Sequence, residues 1–173
     1  MRGSLVARHR AQCFHRRAYI RSEGVCAALA VRVSRSAQAT WQGTVPDGGG
    51  RLALGSGAWE GEFNLRNRVE DVERATNPEE LIAAAHAGCF TMSLANLLSE
   101  AGTPPADLRT TARVRLEQLE EGFRITRISL STVGEVPGID AARFGELAER
   151  AKSTCPVSLA LSGTEIVLDA SLR

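Results

Sequence analysis

The sequence predicts an α+β domain: an antiparallel sheet with one central, buried helix. Three observations predict it. Several stretches alternate apolar and polar residues, which is the period of a half-buried strand. One long segment, opened by Asn77-Pro78 and closed by Gly102 and Pro104-Pro105, carries helix start and stop signals and is apolar almost throughout. The elements run strands, helix, hairpin, helix, strand, without the repeated strand–helix units of a doubly wound sheet. There are no internal repeats.

The elements follow in order. Ala37, Ala39 and Trp41 alternate with polar neighbours, Pro46-Asp47-Gly48-Gly49-Gly50 turns the chain, and Leu52, Leu54, Trp59 and Phe63 continue a meander of about three strands. Gly55-Ser56-Gly57 begins like a dinucleotide-binding loop, but the next glycine, Gly61, is misplaced and no helix follows. Asn77 suits a helix N-cap, Pro78 the first helical position, and Glu80 completes a capping-box pattern. Glu79 and Glu80 also favour the positive end of the helix dipole. This helix runs to Glu100. Leu108, Thr110, Ala112, Val114 and Leu116 then alternate with polar residues, including a row of Arg109, Arg113 and Arg115 that reads as a solvated strand face. Glu121-Gly122 turns into a second strand, Phe123 to Val133. Asp140 caps a second helix ending near Thr154, Pro156 starts a short third one, and Glu165 to Leu172 is a final strand. Trp41, Trp59, Phe63, Met92 and Phe123 are expected in the core.

Composition excludes several classes of function. The 173 residues suit one domain, and a net charge of +1 gives no basic excess for nucleic acid. Aromatic residues make up only 5%, too few for base-stacking platforms. No uninterrupted apolar run approaches the roughly 18 residues of a membrane helix. Lys152 is the one lysine and sits in no glycine-rich loop, so Schiff-base or P-loop chemistry finds little support. Residues 1–30 hold six arginines, one acid, Cys13, Cys26, His9 and His15. They read as a basic, disordered extension or a wrongly chosen start. Transit-peptide or weak secretory features are the alternatives. The folded domain is expected over 31–173.

The long helix carries the chemical information. His86, Cys89, Ser93, Asn96 and Glu100 recur at steps of three and four and so share one face. A polar stripe on an apolar helix needs partners. Cys155 falls between the second helix and Pro156, at a helix N-terminus, where a thiolate is favoured. Cys89 and Cys155 lie 66 residues apart, so a bond between them would be tertiary. No C-x-x-C pair indicates zinc or a thioredoxin motif. His86 reads as a packing residue with one satisfied hydrogen bond, a base being the alternative. Ser158 reads as a helix-end hydrogen-bonding group.

The run from Asn77 through Ala85-His86-Ala87-Gly88-Cys89-Phe90, followed by Cys155-Pro156-Val157-Ser158, resembles the OsmC/Ohr family of thiol peroxidases. With Val136-Pro137-Gly138-Ile139-Asp140, it is similar to the OsmC branch, over roughly residues 36–173. The resemblance implies reduction of organic hydroperoxides, and less well of hydrogen peroxide. It implies no haem, flavin or metal, an external dithiol reductant, and an intertwined homodimer with sites at the subunit interface. Cys89 would be the peroxidatic cysteine, Cys155 the resolving one, and Glu79 the family glutamate. The family arginine best matches Arg68, with Arg66 as the alternative, because the stretch to Asn77 is one residue longer than the family pattern. A transient catalytic disulfide suits a reducing cytoplasm. Other readings are a non-enzymatic redox-sensing or structural protein, and a transferase or hydrolase using Cys89 with His86.

Two tensions remain at this level. Helix-end position alone favours Cys155 as the more acidic thiol, whereas the resemblance assigns attack to Cys89. Glu79 also lies about 15 Å from Cys89 along a continuous helix. A site containing both would need a helix that starts late or bends, or the glutamate of a second, antiparallel copy.

Overall fold

The computed structural model describes residues 32–70, 72 and 75–173, so the basic leader and its cysteines lie outside the described residues. Two three-stranded sheets form. In the first, β1 (Ala37–Gln42), β2 (Gly49–Leu54) and β3 (Glu60–Phe63) pair antiparallel in that order. In the second, β4 (Asp107–Leu119) and β5 (Gly122–Glu135) make a long antiparallel hairpin, and β6 (Glu165–Leu172) joins β5 in parallel. The expected antiparallel sheet is therefore two sheets, the second of them mixed. A returning helical segment separates β5 from β6, which is what a parallel pairing needs.

Helix α1 (Leu65–Val69) is a single turn that sequence reading misses. Helix α2 (Pro78–Glu100) matches its expected bounds, with the Asn77 side chain accepting from the Glu80 N–H. The capping box is half made, because the Glu80 carboxylate bonds the Thr76 hydroxyl. Asp140 caps α3 (Ala141–Thr154), and Cys155 is both its C-cap and the N-cap of α4 (Pro156–Ala160).

Residues 35 to 173 form one compact unit, whose core lies where α2 and α3 cover β4–β6. Phe90, Leu94, Leu97 and Leu98 of α2 pack with Phe144, Leu147 and Ala148 of α3 and with Leu130 of β5 in one core cluster. At Gly134 a Cβ would lie 2.6 Å from the Phe144 ring, so the strand needs glycine for the helix to seat.

The core expectation fails for three side chains. Met92 is 71% exposed, Phe123 48% and Trp41 37%. Residue type marks them as apolar, but the described residues leave each of them at least one-third exposed. Likewise α2 is not buried all round: Ala84, Ala85, Gly88 and Met92 face outward. By length and composition α2 could cross a membrane, although no uninterrupted apolar run was evident in the sequence. Here its other face forms the domain core. The row of Arg109, Arg113 and Arg115 is exposed as expected.

Candidate active site

The polar stripe of α2 starts buried and ends in solvent. His86 is wholly buried, Cys89 and Ser93 are half-buried, and Asn96 and Glu100 are exposed and bonded to each other. The buried end meets α4. There Cys155 Sγ lies 3.1 Å from Cys89 Sγ, in hydrogen-bond contact, with both thiols free. That is longer than a disulfide of about 2.05 Å, yet the two residues need little movement to form one. Cys155 is 0% exposed, whereas Cys89 is partly open.

The two sulfurs titrate in opposite directions. Burial pushes the Cys89 thiol up, and its hydrogen bond with Cys155 adds to this, against a smaller opposing effect of the Val157 N–H. Burial also pushes Cys155 up, but the Ser158 N–H, the contact with Cys89, the Ser158 hydroxyl and the Val157 N–H together bring it below its ordinary value. The helix-end argument thus holds within one chain: Cys155 is the more acidic thiol. Next to it, His86 Nε2 lies 2.8 Å from Ser158 Oγ, and both side chains are buried. Burial lowers the His86 pKa, so the imidazole is neutral. Its one hydrogen bond agrees with the packing role expected of it, and among the described residues its Nδ1 finds no partner.

The second expected pair forms elsewhere. Arg68, at the end of α1, grips Glu79 with Nε at 3.1 Å and Nη2 at 2.7 Å from the same oxygen, and Nε at 3.2 Å from the other. The Glu79 side chain is 8% exposed and Arg68 36%, so the carboxylate is held by this one cation in a nearly dry setting. Arg66 points away, pairs with Glu70, and is well exposed. Between the two arginines, the geometry therefore selects Arg68 as the partner of Glu79. The Arg68 guanidinium also lies 5.9 Å from the centroid of the Phe123 ring. Asn64 caps α1 by accepting from the Asn67 N–H. Asn77, the cap of α2, donates from Nδ2 to the Asn67 carbonyl. Asn77 thus caps α2 and ties it to α1 at the residue before Arg68, which holds Arg68 opposite Glu79. The signal for this was an N-cap residue type at Asn64, too weak alone to announce a five-residue helix.

Within one chain these two centres do not meet. Helix α2 is continuous from Pro78, so Glu79 stays about 15 Å along it from Cys89. Among the described residues no guanidinium shifts either thiol. Arg68 instead borders an apolar hollow of about 250 Å³ walled by Trp41, Val45, Phe63, Leu65 and Pro78. Among the described residues no group of three His, Cys, Asp or Glu side chains converges as metal ligands would.

A family model described as OsmC-like protein matches residues 70–170, which include both cysteines and Glu79. The chain is 43% identical to peroxiredoxin OsmC of Escherichia coli K12, over 82% of its own length and 98% of that protein. The chain belongs to the OsmC/Ohr family. The Ohr side of the family matches too: organic hydroperoxide resistance protein OhrA of Bacillus subtilis is 34% identical over 56% of this chain and 67% of that protein. An organic hydroperoxide resistance protein of Elizabethkingia anophelis, crystallised with thiocyanate bound, superposes with a TM-score of 0.66 at 25% identity, covering 84% of this chain and 99% of that one. Membership in the OsmC/Ohr family gives the chain a thiol-peroxidase role, and the paired sulfurs are the chemistry such a role requires.

Proposed function

We propose that this OsmC/Ohr protein reduces organic hydroperoxides, and less efficiently hydrogen peroxide, through a Cys89–Cys155 cycle in a homodimer with shared sites. The observation that carries the reading is the 3.1 Å contact between a partly open and a wholly buried thiol from distant parts of the chain. Accessibility assigns the roles. A peroxide can reach Cys89, and Cys155 is sealed.

The Cys89 thiolate attacks the terminal peroxide oxygen. The O–O bond breaks, the alkoxide leaves and takes a proton as the alcohol, and Cys89 becomes a sulfenic acid. The Cys155 thiolate then attacks the Cys89 sulfur, and the hydroxyl departs as water. An external dithiol returns the resulting disulfide to two thiols.

Cys89 alone is a poor nucleophile at neutral pH, because its thiol is shifted upward. A second copy supplies what is missing. Its Arg68, held by its own Glu79, would sit at Cys89 and stabilise both the thiolate and the departing oxygen. The uncovered apolar face of α2 and the exposed Trp41 and Phe123 support such a partner. The apolar walls around Arg68 favour an alkyl group over hydrogen peroxide.

A peroxidase assay with a dithiol reductant tests the reading. Catalytic turnover of cumene hydroperoxide, exceeding that of hydrogen peroxide, is expected. Consumption of one equivalent per chain with no turnover under any dithiol would leave a redox-sensing protein instead.

A further inference from the structure

Arg68 can serve a sulfur only if its guanidinium is held in one orientation, yet α1 is a five-residue helix with little stability of its own. We propose that Phe123, at the tip of the β4–β5 hairpin, is a positioning residue that fixes the Arg68 guanidinium for its work at Cys89. The inference rests on the proposed role of Arg68 and adds a side chain on which that role depends.

Strand register explains why Phe123 faces Arg68. Val114 pairs with Ile128 and Arg115 with Arg127, but the next pair is Leu116 with Ile125. One step along β4 therefore faces two along β5, and Thr126 is the extra residue of a β-bulge. Residues opposite each other in a ladder share a face. Val114 and Leu116 line the same hollow as Arg68 and Glu79. Beyond the bulge, Ile125 joins Leu116 on that side and Phe123 joins Gln118, while Arg124, opposite Glu117, takes the outer side. Without Thr126 the period of two would exchange these faces, turning Arg124 toward Arg68 and Phe123 away from it. The Thr126 hydroxyl donates to the Glu117 carboxylate and so fastens the bulge from the outer side.

Two contacts then hold the guanidinium in different ways. Glu79 takes one edge, through Nε at 3.1 Å and Nη2 at 2.7 Å. Bonds along a single edge still let the plane tilt about that edge. The Phe123 ring lies against the group, with Cζ 5.9 Å from the ring centroid, within reach of a cation–π attraction. Among the described residues Nη1 has no hydrogen-bond partner. With one edge and the plane both held, Nη1 is the group presented to a thiolate or a departing oxygen.

The contact is read first, without peroxide. With 4-fluorophenylalanine at position 123, the fluorine resonance should shift on Arg68→Met and stay in place on Arg66→Met. The role is read next, in cumene hydroperoxide turnover. Phenylalanines with one, two and three ring fluorines keep the shape of residue 123 while weakening the negative ring face. Their kcat/KM should fall in step, to about two- to fivefold below the unmodified protein, the scale of one partly exposed cation–π pair. Phe123→Leu should lose as much, and Phe123→Trp should keep the full rate. Native mass spectrometry restricts the comparison to variants of unchanged oligomeric state. A resonance that ignores Arg68→Met, or answers Arg66→Met equally, would overturn the proposal. So would a flat fluorine series or a full rate in Phe123→Leu. Absent turnover in the unmodified protein would sink the proposed function, and the resonance would still decide the contact.

Discussion

Cys89 and Cys155 meet within one chain, whereas Arg68 of α1 and Glu79 of α2 meet each other but reach neither sulfur. The cysteine cluster is complete as a redox pair: one thiol open, one sealed, 3.1 Å apart. The arginine pair is complete only as an ion pair. A buried carboxylate answered by one guanidinium, beside an apolar hollow, is a costly arrangement to keep for stability alone. On the proposed reading, the difference means that a single chain holds both halves of a peroxidase site at separate stations along α2. An antiparallel second copy would superpose the station of one chain on that of the other.

The largest effect should come from the cysteine station. Cys89→Ser is expected to bring peroxide consumption down to background, a loss of about a thousandfold or more, since the nucleophile is gone. Cys155→Ser should still consume a first equivalent, after which Cys89 advances to the sulfinic acid. Mass spectrometry would register that as two added oxygens. A fully active Cys89→Ser protein reacting through Cys155 would reverse the roles assigned from exposure.

Arg68→Met comes next. Loss of one preorganised cation at a developing charge typically costs about 10²–10³ in rate. The expected result is that fall in kcat/KM for cumene hydroperoxide, with excess diamide still closing the Cys89–Cys155 disulfide to completion. If disulfide formation fell equally, Arg68 would be supporting the cysteine cluster itself, and the two stations would not be separate. Arg66→Met, at an exposed arginine that pairs only with Glu70, should change the rate little.

Mixing sharpens the comparison further. Chains with Cys89→Ser and chains with Arg68→Met are each inactive alone. If one chain's Arg68 serves the other's Cys89, half of the dimers after subunit exchange are mixed, and each has one intact site. Recovery of about a quarter of normal activity is then expected from twofold symmetry. No recovery, with exchange verified by native mass spectrometry, would mean that each chain builds its own site by some movement of α1.

How much of this was legible in the sequence follows the range of the forces involved. The bounds of α2, its Asn77 cap, and the seat of Cys155 between two helices depend on local chemistry, and local residue types announce it. That Cys89 and Cys155 approach each other was carried by the family resemblance, because no local pattern encodes a contact across 66 residues. The five residues of α1 are too few for a helical period. The parallel pairing of β6 is a tertiary choice with no signature in β6 itself. Trp41, Met92 and Phe123 were misread as core because apolarity indicates that a side chain seeks cover, without saying whether its own chain or another supplies it.

Asn77 offers the smallest and most local test, because it serves α1 and α2 at once. Asn77→Ala removes both bonds and should lower stability by about 1 kcal/mol, the usual cost of an N-cap, in a urea titration. Asn77→Asp keeps the oxygen that accepts from Glu80 but loses the Nδ2 donor to the Asn67 carbonyl. It is expected to keep most of the stability while still slowing peroxide reduction several-fold, because α1, and so Arg68, is no longer anchored to the helix that carries Glu79. Should Asn77→Asp restore rate and stability together, the cap alone would suffice, and Arg68 would owe its place to Glu79 rather than to the backbone beneath it.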